Sequence, residues 1–316
     1  MKNVLVVGGA GYIGGCLTDL LVERGHHVTI FDRLLYEERY LKDVPFVFGD
    51  IRDTDTLVKL QSKYDTIIWL AAIVGDGACS QDPELTYEVN YHSVKRFLDK
   101  TKRQLIFPST CSVYGAQDGL LSEESTPKPL SVYAETKLLA EKAVLEHGGL
   151  AFRLGTLFGL GDKFSRLRLD LVINVLTYKA LAEGKITVFG GDQWRPVLAV
   201  RDVAAYFAEA VTRNYNDVFN ISMKNVRIKD CASIYKNIFP DLQLEVVDSK
   251  FEDMRNYRVS TEKVESKFIF KPQITIESEV QRMIELLQER RIKNPLDPRY
   301  YNTHYVKETL DQIRKF

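Results

Sequence analysis

The sequence predicts a doubly wound α/β fold, a parallel sheet between helices, joined to a smaller mixed α/β substrate domain. Three observations carry that prediction. Short β-branched runs alternate with helical patterns through the first half of the chain. Gly8, Gly11 and Gly14 follow the first run and open a helix. Asp32 closes the second run. Strands that alternate with helices imply a parallel sheet covered on both faces.

Residues 4–7 read as a buried strand. Ile13, Leu17, Leu20 and Leu21 then recur at helical spacing, and Gly25 suits the helix end. Residues 28–31, 46–48, 66–70, 105–107 and 151–154 read as the next five strands. After residue 160 the pattern loosens. A helix is expected over 169–181, a strand over 186–189 before a Gly190-Gly191 turn, and a helix over 202–211. An amphipathic helix is expected over 276–290. Residues 1–165 should form the nucleotide-binding domain, with roughly 191–222 returning to it. Residues 166–190 and 223–316 should form the substrate domain.

A chain of 316 residues, 45% of them hydrophobic, suits one large domain with a smaller one attached. Lys plus Arg equals Asp plus Glu at 43 each, which argues against a nucleic-acid surface. The basic clusters Lys100-Thr101-Lys102-Arg103 and Arg290-Arg291-Ile292-Lys293 read as solvated helix ends. The opening apolar run is cut short by glycines, unlike a secretory signal, and no run approaches the roughly 20 apolar residues of a membrane helix. Cys16, Cys79, Cys111 and Cys231 are widely spaced, so neither a metal site nor a disulfide framework is expected. The reading is a cytoplasmic protein without membrane or nucleic-acid partners.

The glycine turn is the first functional signal. Gly8 permits the tight turn, Gly11 lets backbone approach a pyrophosphate, and Gly14 allows close packing. The helix that begins at Tyr12 and Ile13 offers its N–H groups and positive dipole end to phosphates. Asp32 can accept both adenosine ribose hydroxyls and would repel a 2′-phosphate, so a Rossmann-type NAD site is expected. Arg33 opposes that choice, since it could pair with such a phosphate. Asp50 and Ile51, after the third strand, suit the adenine ring.

Tyr133 and Lys137 stand four residues apart in a helical stretch and share one face. A free tyrosine has a pKa of about 10. A nearby ammonium favours the phenolate and brings it closer to use as a base. Ser109-Thr110-Cys111-Ser112-Val113-Tyr114-Gly115 follows the fifth strand, at the sheet edge where ligands bind. Thr110 would share a substrate hydroxyl proton with Tyr133.

With these motifs, the chain resembles an extended short-chain dehydrogenase/reductase of the NAD-dependent nucleotide-sugar epimerase/dehydratase family. GGAGYIG, GDIRD, LAA, the Asn90 helix, STCSVYG, YAETK, RLGTLFG and RPVLAVRDVA occur in the family's order over nearly the whole chain. The resemblance implies that Leu70, Ala71 and Ala72 line the cofactor, that Asn90 supports the central strand edge beside it, and that Arg153 helps build the site. It places Val74, Cys111, Ser112, Asn174 and Val188 toward the substrate, and gives Arg195 and Arg255 the nucleotide diphosphate. Bidentate guanidinium–phosphate pairing is the physical reason for the arginines. A homodimer is also implied.

The departures bear on the reaction. The family's 4,6-dehydratases place Asp-Glu after the catalytic threonine, where this chain has Cys111 and Ser112. Its 3,5-epimerases place a cysteine base at the position of Ser112, so Cys111 reads as a small packing residue. Trp69 replaces a histidine and should affect packing, and Thr156 stands where several epimerases have asparagine. The expected activity is redox at C4 of a nucleoside-diphosphate sugar, as 4-epimerisation through a transient 4-keto intermediate. The alternatives are a net 4-dehydrogenase or reductase, and an NAD-binding sensor without catalysis.

Overall fold

Seven strands lie parallel in one sheet. Their spatial order is Phe46–Phe48, His27–Asp32, Asn3–Val7, Thr66–Trp69, Gln104–Thr110, Leu150–Leu154, Asp217–Ile221. The computed structural model describes residues 1–164, 166–189, 191–247, 255–289 and 291–315. Strand order reverses between Asn3–Val7 and Thr66–Trp69, which are neighbours with Leu5 opposite Ile67. Chains leaving these two strands diverge to opposite halves of the sheet, which opens a crevice at their carboxyl ends.

The central strands are apolar on both faces because both faces are covered. Val4 and Val6 pack with Leu17, Leu21, Val203 and Phe207 on one side. Leu5 and Val7 pack with Leu57, Val94, Phe97 and Val144 on the other. The helix Tyr12–Glu23 therefore lies beside Val200–Ala210 under one face. The helix Val132–Glu146 covers the opposite face, with Ala140 and Val144 inward.

A second core lies beyond the sheet. Thr156–Phe158 runs parallel to Trp194–Ala199, which pairs antiparallel with Lys224–Arg227. Lys185–Phe189 pairs with Gln243–Val247. The helices Val172–Glu183, Ile228–Ile238 and Ile276–Gln288 close over these strands around Phe158, Leu176, Val197 and Tyr235. Asn256–Val259 pairs with Ala116–Leu121 and brings the late chain back to the main sheet's loops.

The helix expected from 169 begins at Val172 instead. Leu171 is extended, and the Asp170 carboxylate is engaged by Arg168 and by the Asn302 N–H. Gly184 ends that helix in the left-handed conformation that suits glycine. The helix from Ile276 is capped by Thr275, which accepts from the Ser278 N–H. Gly190 of the expected turn and Arg290 of the expected last helix lie outside the described residues. Several elements escaped the sequence reading, among them the strands Ala116–Leu121, Thr156–Phe158 and Trp194–Ala199 and the helix Thr54–Gln61. Asp217–Ile221 lacks a continuous β-branched run, and the helix Asn302–Arg314 is mostly polar with Val306 and Ile313 as its buried apolar residues. Among the described residues no helix is long and apolar enough to cross a membrane, and no group of three or more His, Cys, Asp or Glu could hold a metal.

Candidate active site

One cleft of about 1360 Å³ crosses the carboxyl ends of the central strands. Its floor is the glycine turn. Gly8 has φ +83°, and a Cβ there would stand 2.4 Å from the Ala71 nitrogen, so the Leu70–Ala72 segment lies directly against it. A Cβ on Gly14 would meet the Gly9 carbonyl oxygen at 2.4 Å. The close approach at Gly14 is thus within the turn itself rather than between helix and strand. Gly11 caps the helix Tyr12–Glu23 and supplies no side-chain hydrogen bond, leaving backbone toward the cleft.

Asp32 is pinned at the end of its strand. Its carboxylate accepts from the Ala10 N–H at 3.0 Å and the Leu34 N–H at 2.7 Å. Burial raises its pKa against those hydrogen bonds. Arg33 does not stand alone beside it: its guanidinium meets Asp50 at 2.7 Å and reaches the Ile313 carbonyl at 3.4 Å. Arg52 holds Asp50 bidentately, both bonds at 2.9 Å. Burial pushes the Asp50 carboxyl up, but Arg52 and Arg33 outweigh it and hold it below the usual range. Asp50 and Ile51 line the cleft, as do Tyr12 and Ile13.

The reactive end is built from two elements. Thr110 ends the strand Gln104–Thr110, and its hydroxyl accepts from the Ser112 N–H at 3.1 Å. Tyr133 and Lys137 lie in the helix Val132–Glu146, capped by Ser131 through the Ala134 N–H. All three line the cleft. Lys137 is buried, with its ammonium nitrogen 3.9 Å from the centre of the Phe107 ring. Burial lowers its pKa to about 7, although Cys79 and Glu141 act to raise it. Burial also pushes the Tyr133 phenol up, helped by Cys79 and Asp76 and opposed by Arg168 and Thr110. Burial is thus the largest influence on both groups, and it shifts them in opposite directions.

Behind these groups runs a charged network, of which the sequence reading named Arg153 but not its partner Glu141. Glu141 accepts from Arg153 at 2.7 and 3.0 Å and from the Ser109 hydroxyl. Arg153 also donates to Tyr114 at 2.8 Å, and Tyr114 to Asn220 at 2.8 Å. Both charges are almost fully buried. Removing one partner of such a pair strands the other charge, so the network fixes strand, helix and turn around Thr110. The signal was present: Glu141 follows Lys137 by one more helical step of four.

Three of the named residues stand behind the cleft, Asn90 and Cys111 in the supporting and packing places the sequence reading gave them. Asn90 does not line the cleft. Its amide accepts from the Ile73 N–H at 2.8 Å and donates to the Ile73 carbonyl at 2.9 Å, so it positions the loop beside the cofactor. Asn174 is buried and binds the Gly159 N–H and the Arg168 carbonyl, both at 2.8 Å. Cys111 is fully buried with its thiol 3.2 Å from the Arg153 carbonyl, a packing position rather than a substrate contact. Val74, Ser112, Val188, Arg195 and Arg255 do line the cleft. Arg255 donates to Ser112 at 3.1 Å and meets Asp76 at 3.2 Å. Asp76 in turn accepts from Ser131 at 2.7 Å. Arg195 donates to the Trp194 and Arg255 carbonyls, which ties its guanidinium to the backbone of Arg255. Trp69 is buried against Phe97, a packing role.

A reversed-order parallel sheet, a glycine turn facing a pinned aspartate and a tyrosine–lysine pair define a Rossmann-type dinucleotide site. The chain belongs to the NAD dependent epimerase/dehydratase family, whose model matches residues 4–222. It is 27% identical to a UDP-N-acetyl-alpha-D-glucosaminuronate decarboxylase of Bacillus cytotoxicus, over 91% of this chain and 98% of that one. It is 28% identical to a UDP-glucose 4-epimerase of Lactobacillus helveticus, over 69% and 76%. Among solved structures, MoeE5 in complex with UDP-glucuronic acid and NAD matches with TM-score 0.79 and 25% identity, over 91% of this chain and 99% of MoeE5. This chain is an enzyme of that NAD-dependent type.

Proposed function

We propose that this enzyme oxidises and re-reduces C4 of a nucleoside-diphosphate sugar, with 4-epimerisation as the net result. The observation that carries the reading is the convergence of Thr110, Tyr133 and Lys137 on the cleft that also holds the glycine turn and Asp32. NAD, when bound, accepts a hydride from carbon and can return it. Thr110 and Tyr133 would hold the sugar hydroxyl; Tyr133 would pass its phenolic proton to the Lys137 amine as it takes the hydroxyl proton, and the reverse transfer would reprotonate the C4 oxygen when the hydride returns. Asp32 favours NAD over NADP, since a carboxylate there repels a 2′-phosphate. Arg33, the cation that could answer such a phosphate, is engaged by Asp50.

Loss of water at C5–C6 needs one group to take a proton and another to give one. Cys111 is turned out of the cleft with its thiol pushed up by burial, and Ser112 carries only a hydroxyl. Arg255 and Arg195 serve the diphosphate. Residues 1–165 with roughly 191–222 take NAD, and 166–190 with 223 onward take the sugar nucleotide. The C-terminal helix moves to the cofactor side, because Val306 and Ile313 pack into the main sheet's core. The reading includes a cytoplasmic homodimer, and a monomer mass by light scattering at micromolar protein would count against the dimer.

A second reading has one observation in its favour. Arg255 places a cation beside Ser112, two residues from Thr110, where a sugar carboxylate could lie. A 4-ketone next to a C5 carboxylate is a β-keto acid and loses carbon dioxide without a further acid–base pair. The test of both is incubation with UDP-glucose, UDP-N-acetylglucosamine and UDP-glucuronate, followed by absorbance at the reduced nicotinamide band and product analysis. A C4-inverted product supports epimerisation. Carbon dioxide from the glucuronate alone supports the second reading, and a 4-keto-6-deoxy product defeats both.

A further inference from the structure

The helix Asn302–Arg314 lies against the cleft and is fastened at both ends. At its start the Asn302 side chain donates to the Val74 carbonyl at 2.8 Å and accepts from Arg166. The Asn302 N–H meets Asp170 at 3.1 Å. Thr303 sits over Gly77, where a Cβ would stand 2.5 Å from the threonine hydroxyl. Tyr305 rests on Tyr36 with ring centres 5.0 Å apart, and the Arg166 guanidinium lies 3.5 Å from the same Tyr36 ring centre. At its end the Ile313 carbonyl accepts from Arg52 at 2.8 Å and from Arg33 at 3.4 Å, the two arginines that hold Asp50. Arg314 pairs with Asp82 at 2.7 Å.

Asn302, Thr303 and Ile313 line the same cleft as Gly11, Asp32 and Asp50. We infer that this helix is the outer wall of the dinucleotide site and holds NAD in place between turnovers. Its two fastenings bracket the cleft: one on the loop after the fourth strand, the other on the residues after the second and third strands that face adenosine. Exchange of NAD requires at least one of them to open. The inference rests on the cofactor, not on C4 chemistry, so it stands or falls apart from the epimerase reading. Its chemical consequence is that the enzyme needs no fresh NAD per turnover, which suits a hydride returned to the same substrate.

The test measures exchange of bound NAD against excess tritiated NAD in the purified holoenzyme. Asn302→Ala combined with Arg314→Ala removes the side-chain fastening at the helix start and the Asp82 ion pair at its end, leaves the end held by the Ile313 carbonyl alone, and should speed exchange roughly tenfold, since several hydrogen bonds are lost. Gly77→Cys combined with Thr303→Cys fastens the wall covalently. A Cβ at Gly77 lies 3.4 Å from the Thr303 Cβ, near the roughly 3.5–4.5 Å of a disulfide. The oxidised form should exchange at least tenfold more slowly, with the parental rate restored by reductant. Each variant decides by itself if the other fails to fold. A parental exchange rate in the loosened protein or in the oxidised one overturns the inference, as does a parent protein that loses its NAD on gel filtration.

Discussion

Replacing Lys137 by methionine should stabilise the nucleotide-free protein while abolishing its chemistry. Lys137 is buried, and its pKa falls to about 7 because burial disfavours the ammonium. The unfolded side chain has a pKa of about 10.4, so the gap of about 3 units corresponds to on the order of 4 kcal/mol against folding at pH 7 and below. The contact with Phe107, 3.9 Å from the nitrogen to the ring centre, returns some of this, about 2 kcal/mol for a desolvated cation. Methionine keeps the length, fills the same space and removes the charge. A net gain of about 2 kcal/mol, or roughly 4 °C in Tm, is expected at pH 6. The sign with pH follows from linkage. Between about 7 and 10 the folded state binds fewer protons than the unfolded one, so the parent gains stability as pH rises. The advantage of the variant should therefore shrink from pH 7 upward and vanish near 10. Thermal melts at pH 6, 8 and 10 on protein stripped of nucleotide measure it. A variant less stable than the parent at pH 6, or an advantage that grows with pH, would refute the reasoning.

Three further outcomes are expected. Tyr133→Phe should lower turnover by about 10²–10⁴-fold, the usual worth of a general base, while NAD binding by calorimetry stays near parental; near-parental turnover sinks the catalytic scheme. Asp32→Ala should weaken NAD much more than NADP, and equal losses in a binding titration would contradict the ribose assignment. Arg255→Ala should raise the apparent substrate constant while Asp76→Asn lowers it, because Asp76 competes with the diphosphate for that guanidinium; steady-state kinetics in which both variants move the constant the same way would exclude the competition.

The parts of the site that the sequence revealed are those whose geometry is local. Gly8, Gly11 and Gly14 act within one strand–turn–helix unit, and Tyr133 and Lys137 within one helical turn, so spacing alone implies proximity. Side-chain direction is another matter. Cys111 belongs to the same string as Thr110 and Ser112, yet the turn Cys111–Tyr114 points its thiol at Arg153. Asn90 and Asn174 have family-like positions but spend their amides on backbone groups behind the cleft. Asp76 and Glu141 were missed because their importance comes from partners far along the chain, Arg255 and Arg153. The C-terminal helix was legible but missed: Val306, Leu310 and Ile313 recur at helical spacing in a segment that is otherwise polar. Periodicity also carries no information on desolvation, which is why the pKa order of Tyr133 and Lys137 emerged only from the fold.

The central claim, that the protein makes and unmakes a ketone at C4 with NAD retained, is tested most directly by following a C4 hydrogen. A nucleotide sugar deuterated at C4 is incubated with holoenzyme in unlabelled water, and product and nicotinamide are examined by mass spectrometry and NMR. The account predicts an inverted product that keeps deuterium at C4, with no labelled NADH in solution. Deuterium in released NADH would show a net dehydrogenase, and an inverted product that has exchanged its C4 deuterium for solvent hydrogen would contradict hydride transfer altogether.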